Sequence, residues 1–262
     1  MELKKVVLIF GGGGSLGKKI AEKLILKSCK IIAADKFYKG FKKINENYFT
    51  VGLDVTNKKA MIALKKNILK KFGRIDDIIF AITYKTKDFY YSFDKLSLQS
   101  WKKIIDTELT GAFLVGQIFG GYFENKNKGN LVFVSSIYGV VGNDHSIYRG
   151  SNLAEVYSNK KQKKNVFSNS AYSTAKGGLI SFMKFLSTYW AGKNIRVNCC
   201  SPGGIHNVRE NKSFIKKYNL KVPLRRKGKV EEIADAIIFL ISKESSYING
   251  HNLIVDGGFT AW

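Results

Sequence analysis

At 262 residues, 45% of them hydrophobic, the chain is long enough to bury a substantial core, and its alternating strand and helix patterns favour one α/β domain over 1–262. Its formal net charge of +24 attracts polyanions, but the lysines scatter over predicted helix faces and loops, which argues against specific nucleic-acid recognition. The apolar run from Val6 to Phe10 is too short for a signal core or a membrane span, and Cys29, Cys199 and Cys200 lack metal-ligand spacing, so a cytoplasmic protein with no metal, disulfide or membrane partner is expected.

The first predicted strand, VVLIF (6–10), runs into GGGGSLG, where Gly12, Gly14 and Gly17 complete G-x-G-x-x-G at the entrance to a helix. A dinucleotide needs this pattern because its pyrophosphate approaches backbone N–H groups at a helix N-terminus, where a Cβ would obstruct it. Within that helix Leu16, Ile20 and Leu24 form an apolar stripe at i, i+4, i+8. The second strand, KIIAAD (30–35), ends in Asp35, whose carboxylate suits the adenosine ribose and repels a 2′-phosphate; NAD is therefore expected over NADP, with Lys36 beside it pulling the other way. The alternative is a plain glycine turn with a capping aspartate.

Further strands are predicted at YFTVGLD (48–54), DIIFAI (77–82), NLVFVSS (130–136), IRVNCCS (195–201) and NLIVDGG (252–258). Such continuous apolar runs suit strands covered on both faces, giving a Rossmann-type doubly wound parallel sheet of about seven strands with helices on both sides and ligands at the carboxyl ends. Adjacent Cys199 and Cys200 then point to opposite faces. Two segments break the short-loop rhythm, 139–170 and 202–229, the second holding the prolines Pro202 and Pro223. Both follow predicted strand ends, so the first is expected as a cap over the ligand side and the second as a substrate loop.

Tyr172 and Lys176 of AYSTAK (171–176) share a helix face at i, i+4, so the ammonium is expected to favour phenolate and lower a phenol pKa that starts near ~10. Alone, that spacing is common on solvated helix faces. Ser136 of SSIYG, ending the fifth predicted strand, adds a hydroxyl able to hydrogen-bond a carbonyl oxygen in the same cleft, and the three residues form a candidate hydride-transfer site.

With LDV (53–55), IRVNCCSPGG (195–204) and INGHNLIVDGG (248–258), these motifs resemble the short-chain dehydrogenase/reductase family over essentially the whole chain. Within it, SSIYGVVG, a lengthened serine-to-tyrosine loop and INGHNLIVDGGF are most similar to the subgroup associated with flagellin modification and legionaminic-acid-type sugar biosynthesis. The resemblance implies that Ser136 polarises the substrate carbonyl, Tyr172 gives or takes the hydroxyl proton, and Lys176 lowers the tyrosine pKa while binding the nicotinamide ribose. It implies cofactor contacts from Gly11, Gly12, Gly14, Ser15, Leu16, Gly17 and Asp35 at the glycine turn, from Asp54 and Val55 at the adenine, and from Pro202, Gly203 and Ile205 near the nicotinamide.

Two positions depart from the family pattern. FAIT (80–83) replaces N-N-A-G, and Glu108 stands where the family carries an asparagine of a water-mediated proton relay. Glutamate there is expected to accept from Lys176 through water and stabilise the ammonium, or else to mark lost catalysis. The insert offers His145, Tyr148, Arg149, Tyr157 and the lysines of 160–164 as cap residues, which would favour an anionic substrate. The apolar segments 109–123 and 177–190 match helices through which family members form dimers or tetramers. The expectation is an NAD(H)-dependent enzyme interconverting a secondary alcohol and a ketone on a sugar or nucleotide-sugar intermediate of surface-glycan biosynthesis; the alternatives are a redox-silent cofactor-binding protein and a 3-oxoacyl-acyl-carrier-protein-type reductase.

Overall fold

Five uninterrupted apolar residues, Val6–Phe10, form β1, and all five are buried, as expected of a strand covered on both faces. This computed structural model describes residues 5–158 and 166–262. After β1 the chain forms α1 (Ser15–Leu26), β2 (Lys30–Asp35), β3 (Phe41–Lys43), β4 (Tyr48–Gly52), α2 (Lys58–Phe72) and β5 (Asp77–Phe80). Next come α3 (Leu98–Ile105), a π-helical turn (Asp106–Thr110), α4 (Gly111–Lys126), β6 (Gly129–Val134), α5 (Leu153–Ser158) and α6 (Ser170–Tyr189). The chain continues through β7 (Ile195–Pro202), α7 (Lys212–Leu220), α8 (Val230–Leu240) and β8 (Asn252–Val255).

Among the described residues eight strands form one sheet in the order β3-β4-β2-β1-β5-β6-β7-β8. All neighbours run parallel except β3, which lies antiparallel on the β4 edge. That strand is the eighth, beyond the seven legible runs; FKK is three residues with two exposed lysines and carries no apolar pattern. The order reverses at β1, so the crevice between the β1 and β5 ends is where a doubly wound sheet takes its ligand.

Alternate strand residues feed two helix layers. Val6, Leu8 and Phe10 pack in one core with Met61 and Leu64 of α2, Val115 and Phe119 of α4, and Leu179 and Met183 of α6. Val7 and Ile9 pack in the other with Ile20 and Leu24 of α1 and Ile233 and Ile237 of α8. Cys199 belongs to the first layer and Cys200 to the second, as their adjacency on a strand requires. A third cluster gathers over the carboxyl ends of the strands: Phe89, Tyr148, Leu153, Val166, Phe214 and Tyr218 come from the long connections rather than the sheet. The 139–170 and 202–229 segments are thus not irregular throughout, since α5 and α7 form within them.

No helix among the described residues is long and apolar enough to cross a membrane, and no group of His, Cys, Asp or Glu there is placed to hold a metal ion.

Candidate active site

The turn after β1 is built by close backbone approach. Gly11 adopts φ +82°, and a Cβ on it would lie 2.5 Å from the Ala81 carbonyl oxygen. Gly17 packs so tightly that its Cβ would lie 2.3 Å from the Gly11 carbonyl oxygen, which fixes the start of α1 under the turn. Gly14 caps α1 without a side-chain hydrogen bond, and the first turn carries no acidic residue, so its N–H groups remain available to an anion. Asp35 braces the turn: Oδ2 accepts the Gly13 N–H at 2.9 Å and Oδ1 accepts the Phe37 N–H at 3.1 Å. An open glycine turn, a bare helix N-terminus and a carboxylate at the second strand end fit the pyrophosphate and ribose of a dinucleotide.

Helix α6 begins at a fixed point. Asn169, its N-cap, accepts the Tyr172 N–H at 3.0 Å and donates to the Phe89 carbonyl at 2.9 Å, so Tyr172 stands on an anchored first turn. The Phe89 ring meets the Tyr172 ring edge-on at 5.9 Å. Ser136 lies beyond the end of β6 rather than on it, as N-cap of a short 3₁₀ turn; its Oγ accepts the Tyr138 N–H at 3.2 Å, which leaves the hydroxyl proton to be donated on the Tyr172 side.

One helical turn below Tyr172, the Lys176 ammonium donates to the Ile82 carbonyl at 2.9 Å and the Val134 carbonyl at 3.0 Å. It also lies 3.1 Å from Glu108 Oε2, an ion-pair contact outside hydrogen-bond geometry. Glu108 Oε1 accepts the Tyr84 N–H at 2.8 Å. Burial pushes the Glu108 carboxyl up, and the Lys176 charge and the Tyr84 N–H oppose it. Tyr172 is held well above the ordinary phenol range by burial first and by the Glu108 charge second, with a Ser136 hydrogen bond opposing. The expected lowering of the Tyr172 pKa by Lys176 is therefore reversed, because burial first and the Glu108 charge second disfavour the phenolate. The contact expected to run through water is direct.

Tyr172 and Ser136 face a cleft of about 520 Å³ at the carboxyl ends of the strands. Beyond Tyr172 its wall is aromatic, with Phe89, Tyr90, Tyr138, Tyr148, Phe214 and Tyr218. Tyr157 of α5 donates to Glu210 Oε1 at 2.9 Å and accepts from Asn207 Nδ2 at 3.1 Å, joining the insert to the segment after β7. Glu210 pairs through its other oxygen with Lys227, and both side chains are almost fully buried.

A profile described as short chain dehydrogenase matches residues 5–156 of the chain, and one described as enoyl-(acyl carrier protein) reductase matches residues 150–260. The chain belongs to the short-chain dehydrogenase family. It is 33% identical over 264 residues to a 3-oxoacyl-acyl-carrier-protein reductase of Buchnera aphidicola subsp. Schizaphis graminum, covering 97% of each protein. It is 28% identical over 271 residues to glucose 1-dehydrogenase 2 of Bacillus subtilis, covering 98% of this chain and 95% of that one. A crystal structure of a short chain dehydrogenase from Leptospira borgpetersenii with bound NAD+ superposes with a TM-score of 0.85 at 29% identity, covering 98% of this chain and 93% of that one.

In this short-chain dehydrogenase the cleft is lined by Gly11, Gly14, Ser15, Leu16, Gly17 and Asp35, by Asp54 and Val55, and by Ser136, Tyr172, Pro202, Gly203 and Ile205. Gly12, Glu108 and Lys176 stand behind it. Gly12 is buried against β2, where a Cβ would lie 2.6 Å from Ala33 Cβ, so packing alone already requires that glycine. Lys176 is 1% exposed and turned beneath Tyr172, with its ammonium on the Ile82 and Val134 carbonyls. Of the expected cap residues Tyr148 and Tyr157 reach the cleft, whereas His145 and Arg149 are exposed away from it, and 160–164 lies outside the described residues. Sequence reasoning missed Lys85, Tyr90, Glu210 and Lys227 in this dehydrogenase; Lys85 follows β5 at a strand's carboxyl end, the one signal that marked it.

Proposed function

We propose that the enzyme is an NAD(H)-dependent oxidoreductase interconverting a ketone and a secondary alcohol. The observation that carries this reading is Tyr172 and Ser136 converging on a dinucleotide-shaped cleft from α6 and the β6 end. When bound, the nicotinamide supplies or accepts the hydride. Ser136, whose proton faces the Tyr172 side of the cleft, orients and polarises the substrate oxygen, and Tyr172 transfers the proton to or from that oxygen. Lys176 acts through Tyr172, its ammonium 5.5 Å from the ring centroid, and Glu108 keeps it there. A phenol held protonated is poised to donate, which favours carbonyl reduction near neutral pH.

Asp35 supports NAD over NADP. The substrate is a small carbonyl or alcohol carrying negative charge, which we read as a sugar or nucleotide-linked sugar of surface-glycan biosynthesis, in the manner of the flagellin-modification and legionaminic-acid subgroup. A cleft mixing aromatic faces with Asn207, Glu210 and tyrosine hydroxyls supports a polyhydroxylated substrate, as does the glucose dehydrogenase relative. The 139–170 segment serves as a cap, through Tyr148 and Tyr157. The same reading has the chain as a single 1–262 domain in the cytoplasm, consistent with three free thiols, and as a homodimer or homotetramer through α4 and α6, where Phe113, Phe185 and Tyr189 are exposed. The second reading, a 3-oxoacyl-acyl-carrier-protein reductase, draws on the 33% identical relative.

The test is Tyr172→Phe assayed with a carbonyl panel under NADH. Turnover should fall by about a thousandfold or more with NADH affinity retained; unchanged turnover overturns the reading. Preference for NADPH together with activity on oxoacyl thioesters moves the assignment to the second reading.

A further inference from the structure

The substrate end of the cleft contains more positive charge than its own carboxylates balance. Lys227 is paired with Glu210, and Lys176 with Glu108. Lys85 is the lysine left over: it lines the cleft, and no carboxylate among the described residues pairs with it.

Instead Lys85 is held by rings. Its Nζ lies 3.6 Å from the centroid of Tyr157, 5.8 Å from that of Phe89 and 5.9 Å from that of Tyr90. Contact with ring faces returns only part of the hydration an ammonium gives up on burial. Burial accordingly brings the Lys85 pKa down to about 8, against the pull of Glu108 and Glu210, while Lys227 pushes the same way as burial. The Tyr157 ring that supports it is itself fixed, since its hydroxyl bridges Glu210 and Asn207. Phe89 stands between the two ends of the site, touching both the Tyr172 ring and the Lys85 ammonium.

We propose that Lys85 is a specificity-determining residue that binds an anionic oxygen group, a carboxylate or a phosphate, on the substrate whose carbonyl meets Tyr172. An incoming anion replaces the hydration that the aromatic cage cannot, and a neutral analogue of the same shape leaves the ammonium as poorly solvated as before. The inference rests on the oxidoreductase reading for which molecule is turned over, but it is tested by binding rather than by turnover.

The experiment titrates NAD-saturated protein with matched probes: glucose against glucuronate and glucose 6-phosphate, and methyl acetoacetate against acetoacetate. In the native chain at least one anionic probe should bind tenfold or more tightly than its neutral partner. Lys85→Met, which keeps the aliphatic packing, should erase that margin, and Lys85→Arg should restore part of it, with NADH affinity unchanged in both. The better of glucuronate and glucose 6-phosphate tells carboxylate from phosphate. Equal binding of neutral and anionic probes, no binding of any anionic probe at 10 mM (roughly the millimolar range of weak ligands), or a margin that survives Lys85→Met overturns the proposal. Loss of turnover in Tyr172→Phe bears on the oxidoreductase reading alone.

Discussion

The Lys176 ammonium and the Glu108 carboxylate lie 3.1 Å apart beneath Tyr172, and neither side chain is more than 1% exposed. Removing one partner of such a pair strands the other in low dielectric, which typically costs about 3–5 kcal/mol. Here the Ile82 and Val134 carbonyls remain to hold Lys176, and a glutamine still accepts the Tyr84 N–H, so Glu108→Gln should cost somewhat less, about 2–4 kcal/mol by urea titration. Its kinetic signature is distinct from this loss. Without the carboxylate the Tyr172 phenol becomes more acidic, because a negative neighbour is gone and the Lys176 charge is uncovered. The pH limb for alcohol oxidation should therefore move acid by about one unit, and a purely structural role for Glu108 would leave it in place.

Asp35 uses both oxygens within the protein, on Gly13 and Phe37, and still faces the cleft. Asp35→Asn keeps an acceptor for the turn but removes the charge that repels a 2′-phosphate. NADH affinity should fall about tenfold, equivalent to about 1.4 kcal/mol, while NADPH affinity rises. Fluorescence titration with the two reduced cofactors measures the exchange; an unchanged ratio removes Asp35 from cofactor choice.

Far from the cleft, Asp77 at the start of β5 is buried with Lys5 at 3.1 Å. Burial raises its carboxyl to about 6 despite that partner, so the folded chain binds a proton more tightly than the unfolded one. Stability attached to this group is then fully present at low pH and is lost as pH rises from about 4 to about 6. Asp77→Asn should remove the loss, leaving the variant about 1–3 kcal/mol more stable than the native chain at pH 7 and no better at pH 4. Urea titrations at the two pH values check the sign.

The sheet was readable because strands such as Val6–Phe10 and Lys30–Asp35 are buried on both faces and so appear as unbroken apolar runs. Phe41–Lys43 escaped because an edge strand with exposed lysines has no such requirement. Tyr172 and Ser136 were legible for local reasons, one a helix position and the other a strand end. The orientation of Lys176 was not, since it depends on a glutamate brought in by the π-helical turn between α3 and α4. Lys85, Tyr157 and the Glu210–Lys227 pair come from three different connections and share no period, so only the folded chain brings them together.

Cys199 and Cys200 sit side by side on β7 yet belong to different helix layers, and burial pushes both thiols up, Cys200 to about 12. Neither presents thiolate to a reagent while its layer is closed. The two neighbours therefore act as a pair of clocks written into one peptide: alkylation at the first times the lifting of α4 and α6, and at the second the lifting of α1 and α8. Fragmenting that peptide after a timed pulse would give the order in which the sandwich comes apart.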